Sequence, residues 1–292
     1  SKGKGSIYAG GNGLGTSDNQ LQQPEGLALD SDGNLYIADY QNTRIQKITK
    51  STGAVTTIIN TVTAPTDLHV DNSGNIYVLF VDGNVKKYDN QGDNSANVST
   101  GTGNTSLSMH VDSNGDIYTI SLDSKKVWKA TSGNSSASVL FEDDAIHFPN
   151  SIALDSVGNV YVSGQNQSII KWTKSTSTSS NLGIGQASRA ITINSKDNIV
   201  VAYDGSSISS KNAKIIEYKL EDGVANVVAN LYTQDPSSED YYMGISSLIE
   251  DNSGNLYIAI GKDGGRSGSD FNNVTKDRIL VVKNGLNIEI LA

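Results

Sequence analysis

Three histidines have the strongest potential for metal or acid–base chemistry in this sequence. They are His69, His110 and His147. His69 and His110 each lie two residues before the first Asp of a repeated turn, so they hold equivalent positions in neighbouring repeats and are expected to approach each other. His147 lies outside that register. Three imidazoles are the smallest set that holds a catalytic zinc, but the placement of His147 favours a different interpretation. We expect His69 and His110 to be core imidazoles that hydrogen bond to carbonyl groups, with no metal bound.

A second group of candidate residues lies five positions before the first residue of each repeated turn. This register contains Glu25, Thr66, Leu107, Asn150, Arg189 and Ser246. Glu25 and Asn150 carry oxygen atoms of the kind that bind a divalent cation. Arg189 places a permanent positive charge where a carboxylate ligand would be needed. We therefore predict that Glu25 and Arg189 interact, with no metal and no cofactor, and we name Glu25, Asn150 and Arg189 as binding candidates.

These side chains are positioned by a short phrase that occurs six times. It consists of an apolar strand, a turn of the type Asp-x-x-Gly-Asn and an apolar residue followed by Tyr. The copies are Asp30–Tyr36, Asp71–Tyr77, Asp112–Tyr118, Asp155–Tyr161, Asn194–Val200 and Asp251–Tyr257, and their first residues are 41, 41, 43, 39 and 57 positions apart. The turns lack the bidentate Glu of a calcium loop, so we interpret them as hairpin turns. A period of about 40–45 residues built from short strands predicts β-propeller blades.

Each copy is expected to fold as four antiparallel strands, because short β-branched and aromatic runs alternate with Gly, Asn, Asp and Ser. In the first copy the runs are Leu27–Leu29, Asn34–Asp39, Arg44–Lys50 and Ala54–Asn60. Gly5–Gly10 and Leu286–Ala292 have the character of outer strands, and either or both can complete the sixth blade. The prediction is an all-β protein with a single domain, residues 1–292. It is a six-bladed β-propeller of four-stranded antiparallel blades, closed by both termini at blade six.

The first copy resembles an NHL repeat. The residues that carry the resemblance are Pro24, Gly26, Asp30, Gly33, Asn34, Tyr36, Asp39, Asn42, Arg44 and Ile45. The resemblance implies a propeller fold, and the family includes an amidating lyase that uses three histidines on zinc. That lyase has a His directly after the Pro that starts the inner strand, where this sequence has Glu25, Thr66 and Asn150. A more distant resemblance to gluconolactonase-like propellers implies a divalent cation held at the channel mouth by Glu, Asn and Asp.

Composition excludes several classes of function. The net charge of −9, from 22 basic and 31 acidic residues, argues against nucleic acid as a partner, because phosphate binding needs a basic face. Cysteine is absent, so disulfides and thiol chemistry are excluded. Apolar runs reach only strand length, so no membrane insertion is expected. Abundant Ser, Thr, Asn, Asp and Gly favour a bacterial protein that is secreted, periplasmic or on the cell surface, and we expect a monomer.

The longest departures from the repeat indicate a binding face. They are 204–214, 232–243 and 261–277, all connections on the same (top) face over blades five and six. These connections supply five binding candidates: Tyr241, Tyr242, Asp263, Arg266 and Phe271. Tyrosines beside carboxylates suit sugar stacking or the anchoring of a peptide.

The leading functional hypothesis is a non-enzymatic module that binds a protein or glycan through its top-face loops. The first alternative is a metal-dependent lyase or lactonase-like hydrolase centred on the channel mouth. The second alternative is a structural module of a larger surface protein.

Overall fold

The computed structural model describes residues 3–4, 6–10, 15–18, 20–93, 95–99, 106–122, 124–134, 136–164, 169–184, 188–203, 214–230, 244–261, 278–283 and 288–289. Within these ranges the regular secondary structure consists of β-strands, with no helix. It follows that no described helix is long and apolar enough to cross a membrane.

Twenty-six strands lie in the described ranges and form six sheets. Two short strands come first: β1 (Gly3–Lys4) and β2 (Ser6–Gly10). Blade one consists of β3 (Pro24–Leu29), β4 (Leu35–Asp39), β5 (Arg44–Ile48) and β6 (Val55–Asn60). Blade two consists of β7 (Pro65–Val70), β8 (Ile76–Phe80), β9 (Asn84–Tyr88) and β10 (Ala96–Ser99). Blade three consists of β11 (Ser106–Val111), β12 (Ile117–Ser121), β13 (Lys126–Ala130) and β14 (Ala137–Glu142).

The second half of the ring follows the same plan. Blade four consists of β15 (Pro149–Leu154), β16 (Val160–Gly164), β17 (Ile169–Thr173) and β18 (Thr178–Asn181). Blade five consists of β19 (Ser188–Ile193), β20 (Ile199–Tyr203), β21 (Lys214–Tyr218) and β22 (Ala225–Asn230). Blade six contains β23 (Gly244–Glu250), β24 (Leu256–Gly261) and β25 (Arg278–Val282). The last strand is β26 (Ile288–Glu289). The six-bladed propeller predicted from the repeat is confirmed.

The two chain ends meet different blades. Strand β2 pairs antiparallel with β25 and supplies the outer strand of blade six, so the ring closes at that blade as predicted. Strand β26 instead lies parallel to β22 on the outer edge of blade five, and β1 pairs with β26. The N-terminal segment therefore completes blade six, as predicted. The C-terminal strand was predicted to join the same closure, but it extends blade five instead, because its partner is the outer strand β22.

The core is divided among the six interfaces between blades. One cluster of buried apolar residues lies between each pair of neighbouring blades in the described part of the chain. The inner strand of each blade contacts the inner strands of the blades before and after it, and β23 contacts β3 to complete the circle. This arrangement explains the apolar residues on both faces of each central strand. Below, the four strands of each blade are called a, b, c and d from the inner strand outwards, and the connections between them are named accordingly. The face of the a–b turns is called the bottom, and the opposite face is the top.

A unit of three residues repeats on the bottom face of blades one to four. In blade one, the Asp30 carboxylate accepts hydrogen bonds from the backbone NH groups of the turn and from the Tyr36 hydroxyl. Lys47 lies directly across from Tyr36 in the next strand, with its Nζ 4.9 Å from the ring centroid. The corresponding Lys–Tyr distances in blades two, three and four are 5.0, 5.0 and 5.4 Å. The pairing combines a cation–π contact with a carboxylate nearby.

Blade five keeps the turn and reverses its charges. Asn194 replaces the turn Asp, and its side-chain oxygen accepts the same two backbone NH groups. Val200 replaces the tyrosine, and Glu217 replaces the lysine opposite it. The Glu217 carboxylate accepts hydrogen bonds from the side-chain amides of Asn194 and Asn198, at 2.8 and 3.0 Å. The turn geometry thus depends on an acceptor oxygen and not on a negative charge at its first position.

The Asp–Asn–Arg set that only blade one carries is structural. The Arg44 side chain is 6% exposed and that of Asp39 is fully buried; the Arg44 Nε lies 2.8 Å from the Asp39 carboxylate. Arg44 also donates to the backbone carbonyls of Ser17 and Gln20, and Asp39 accepts the backbone NH of Gln22 at 2.7 Å. This ion pair therefore attaches the segment that precedes blade one to the top of that blade.

Candidate functional site

The predicted channel-mouth residues lie on a β-bulge in every blade. The pairing between the first two strands of each blade shifts its register at this point, so that the inner strand carries extra residues that have no direct partner. A bulge re-aims the side chain that it carries. The bulged residues include Glu25, Thr66, Leu107, Asn150, Arg189 and Ser246, and all six are partly exposed. The sequence register therefore identified a real structural ring.

Two members of this ring link their blade to the next one. The Asn150 amide donates to the carbonyl of Ser188 at 2.7 Å. The Ser246 hydroxyl donates to the carbonyl of Pro24 at 2.5 Å. Ser188 and Pro24 hold the same register in blades five and one, so the two bonds have the same geometry. Asn150 is therefore bound to the neighbouring blade on one side, which reduces its freedom to act as a ligand.

Glu25 accepts a hydrogen bond from the Gln23 side chain at 3.1 Å. Its interaction with Arg189 stays a prediction. Within the described ranges, no group of three or more His, Asp or Glu side chains is placed to hold a metal ion. The geometry described so far thus favours hydrogen bonding between blades as the role of the ring.

A second ring of hydrogen bonds lies one residue deeper in the channel. Ser108, Ser151 and Ser247 each accept the backbone NH of a residue in the next blade, at 3.4, 3.3 and 3.2 Å. In blade two the same position is Asp67, which accepts the NH of Met109 at 2.8 Å. Blade one has a glycine here, Gly26. A Cβ at that position would lie 2.6 Å from the Cα of Asp67, so the inner strands of these blades approach too closely for any side chain.

Asp67 is the one ionisable residue of this second ring. Burial raises the pKa of its carboxyl to about 6, against the opposing effect of hydrogen bonds from Met109, Ser108 and Leu68. The loss of solvation destabilises the carboxylate more than these hydrogen bonds stabilise it. Asp67 is therefore a titrating group in a second ring whose other members are neutral.

The two in-register histidines meet at the bottom of the channel, as predicted. The rings of His69 and His110 have their centroids 5.3 Å apart at an angle of 55°. Burial lowers the pKa of His69 to about 3 and that of His110 to about 4, and the neighbouring imidazole lowers the pKa of His69 further. Both rings are therefore neutral at physiological pH. His147 lies apart from them, exposed and edge-on to Phe148 at 4.6 Å. Hydrogen bonds from the paired rings to carbonyl groups stay a prediction.

The predicted rim over blades five and six lies outside the described residues. This applies to Tyr241, Tyr242, Asp263, Arg266 and Phe271. Their role in binding stays a prediction.

A groove that sequence reasoning missed lies between blades one and two, and it extends from the top connections along the outer strands of blade two. It has a volume of about 580 Å³ and is bounded by the d–a connection 60–63, by the b–c connection at Asp82 and by strands β9 and β10. Val62 projects at its edge and is 97% exposed. The signal in the sequence was the apolar Val62 within a short polar connection, where burial is not available.

The groove combines an aromatic floor with polar walls, and its lining also includes one acidic and one basic side chain, Asp82 and Lys86. Phe80 and Tyr88 contribute the floor, and the Lys86 Nζ lies 5.9 Å from the Phe80 ring centroid. The walls carry the side-chain amides of Asn60, Asn84 and Asn97, the first from blade one and the others from blade two.

Two polar groups of the groove differ in how they are satisfied. The Asn84 side chain donates to the Asp82 carboxylate at 2.8 Å, so both are held in one orientation. The hydroxyl oxygen of Thr61 is buried and has no hydrogen-bond partner among the described residues. A buried polar atom of this kind costs about 1–3 kcal/mol until a partner is found.

Comparison with known proteins agrees with this architecture. Residues 21–48 match the family model of the NHL repeat. That stretch is most of blade one, the blade with the buried Asp39–Arg44 pair. No curated protein sequence matches the chain.

Solved structures that resemble the chain are propellers. A catalytically inactive virginiamycin B lyase from Staphylococcus aureus with quinupristin has a TM-score of 0.61 and 16% identity, covering 91% of this chain and 87% of the other. A protein of unknown function from Bacteroides thetaiotaomicron has a TM-score of 0.72 and 13% identity, covering 97% and 77%. A gluconolactonase-family protein has a TM-score of 0.65 and 10% identity, covering 98% and 94%. At such identities the likeness extends to the fold alone.

Proposed function

We propose that the protein is a non-enzymatic NHL-type propeller, secreted or on the cell surface, that binds a glycan in the groove between blades one and two. The observation that carries the proposal is the lining of this groove. Asparagine amides both donate and accept hydrogen bonds, as sugar hydroxyls do. A partly buried tyrosine, Tyr88, adds the apolar surface against which a pyranose ring stacks. The volume of about 580 Å³ lies within the range of small-ligand sites.

Two polar residues of the channel-mouth ring, Asn150 and Ser246, have structural partners in the next blade, and so do the serines one residue deeper. In the groove, by contrast, Asn60 and Asn97 are exposed on opposing walls. Groups that are exposed and face each other across a concave surface are available to a ligand. This contrast favours the groove over the channel mouth as the binding site.

A glycan array with the labelled protein tests the proposal. The variant Asn60→Ala with Asn97→Ala removes one amide from each wall. We expect it to lose at least tenfold in affinity for the glycans that the native protein captures, because each lost bond contributes about 1 kcal/mol. Asn90→Ala is the matched control, since Asn90 is an exposed asparagine of blade two on the bottom face.

Two results would contradict the proposal. The first is equal capture by the double variant and the native protein. The second is the absence of any captured glycan together with a stoichiometric metal in elemental analysis, which would favour the lyase or lactonase-like alternative. Capture of a protein instead of a glycan would leave the groove in place and correct the ligand class.

A further inference from the structure

A cavity on the bottom face, between blades five and six, lies where the repeat changes most. Its volume is about 480 Å³. Three departures from the repeat converge on it. Val200 stands where blades one to four and six have tyrosine, and Glu217 stands where blades one to four have lysine. Glu250 stands where the five other blades have Leu29, Val70, Val111, Leu154 and Ile193.

Each departure changes the cavity in a definite way. Replacing tyrosine by Val200 removes the aromatic ring that covers the space between strands in the other blades. Replacing lysine by Glu217 and an aliphatic residue by Glu250 adds two negative charges to the space that remains. The floor stays apolar, because Val200, Leu256 and Val282 belong to the core cluster of this interface and are at most 2% exposed.

The charge of Glu217 acts on Glu250. Burial raises the pKa of Glu250, and the charge of Glu217 raises it further, while Lys196 and the backbone NH of Ser195 act in the opposite direction. Glu217 is held in place by the amides of Asn194 and Asn198. Lys196 and Lys283 line the cavity as exposed side chains at its rim. Inside the rim, negative charge and apolar surface therefore lie together.

We propose that this cavity binds an aliphatic amine, with its ammonium group between Glu217 and Glu250 and its hydrocarbon chain on the valine and leucine floor. An ammonium group supplies both the charge and the donors that two carboxylates accept. The apolar floor favours a ligand with several methylene groups. A calcium ion fits less well, because it takes six to eight oxygen ligands and gains nothing from the floor. The site is separate from the glycan groove, and neither proposal depends on the other.

Isothermal titration with 1,5-diaminopentane tests the inference, with pentane-1,5-diol as the neutral ligand of the same length. The native protein is expected to bind the diamine and to show no measurable heat with the diol. Glu250→Leu and Val200→Tyr each restore the residue type of the other blades, and each should weaken diamine binding at least tenfold. Glu221→Gln, an exposed position on the c–d connection of blade five, is the control and should bind normally.

Several outcomes would overturn the inference. They are the absence of diamine binding, equal binding of diamine and diol, and unchanged diamine binding in both variants. Calcium binding that Glu250→Leu abolishes would also overturn it, in favour of a cation site. Where Glu250→Leu or Val200→Tyr does not fold, Glu217→Gln replaces it. This variant keeps the size of the side chain and should likewise weaken diamine binding at least tenfold, while circular dichroism stays native.

Discussion

Blade one and blade five have the same strand order and the same bottom turn, but they carry different charged and aromatic residues at the top and bottom ends of their strands. Blade one buries an ion pair between Asp39 and Arg44 at its top. The same cross-strand positions in blade five are Tyr203 and Lys214, which form a cation–π contact at 5.9 Å. At the bottom, blade one has a lysine over a tyrosine, and blade five has Glu217 over Val200.

The features that the two blades share are those that the fold requires, and the features that differ are those that it tolerates. Both blades keep the acceptor at the first turn position, the apolar central strand and the β-bulge of the inner strand. Charge at the ends of the strands varies freely between them. The ring therefore needs the backbone pattern from every blade, and it leaves the ends of the blades available for attachment in one case and for a cavity in the other.

The largest expected effect distinguishes the two top-face pairs. Arg44→Ala leaves the buried Asp39 carboxylate without its cation, so the free energy of unfolding should fall by about 3–5 kcal/mol. Lys214→Ala removes a cation–π contact and should cost at most about 1 kcal/mol. Urea unfolding followed by circular dichroism measures both. Equal losses would show that the two pairs have the same role.

The second effect concerns Asp67, at a register where blade five has Ala190. Because the folded-state pKa of Asp67 is about 6 and the ordinary value is 3.8, the folded protein binds more protons between these values. Its stability therefore falls as pH rises from about 4 to 6. Asp67→Ser installs the residue of blades three, four and six, which keeps the acceptor for Met109, and should remove this loss of about 3 kcal/mol at pH 7.

The paired histidines act in the opposite direction over a similar window. The pKa values of His69 and His110 are lowered in the folded state, so the unfolded chain binds more protons below pH 6.5 and stability rises with pH up to that point. In Asp67→Ser the opposing effect of Asp67 is absent, so the histidines alone set this part of the pH dependence of stability. Thermal unfolding between pH 4 and 7 should then show a steeper rise than in the native protein. A parallel pH profile for the two proteins would contradict the shifted pKa of Asp67.

The smallest effect comes from the middle of the third strand. Gln46 in blade one is fully buried, and neither polar atom of its side chain has a partner among the described residues. Blade five has Ile216 at the same position. Gln46→Ile should raise the free energy of unfolding by about 1 kcal/mol, as measured by urea unfolding. The reciprocal variant Ile216→Gln should lower the free energy of unfolding. An increase in the free energy of unfolding of this variant would show that the surroundings of residue 216 in blade five are polar.

The sequence predicts the fold well because the repeat expresses backbone requirements directly. The positive φ at Gly33 and its equivalents, the acceptor at Asp30 and the period of about 41 residues all appear as residue types at fixed spacing. The same reasoning places His69 and His110 together, since equivalent register positions in adjacent blades are neighbours.

The candidate sites were harder to predict because they depend on contacts between blades. The partner of Asn150 is a carbonyl in the next blade, and a carbonyl has no side-chain signal. The groove between blades one and two is made by segments from two repeats, none of which contains a known motif. In blades one to four the lysine opposite the tyrosine was visible in the sequence, but the strand register was needed before its partner could be named.

The groove between blades one and two is proposed to bind the ligand, while the hydrogen bonds between neighbouring inner strands join the blades. Hydrogen–deuterium exchange with and without the glycan that the array captures most strongly tests it directly. Ligand-dependent protection is expected in 60–63 and 81–86, with no change in the inner strands β11, β15 and β19. Protection confined to the inner strands or to 231–243, with none in the groove segments, would contradict it.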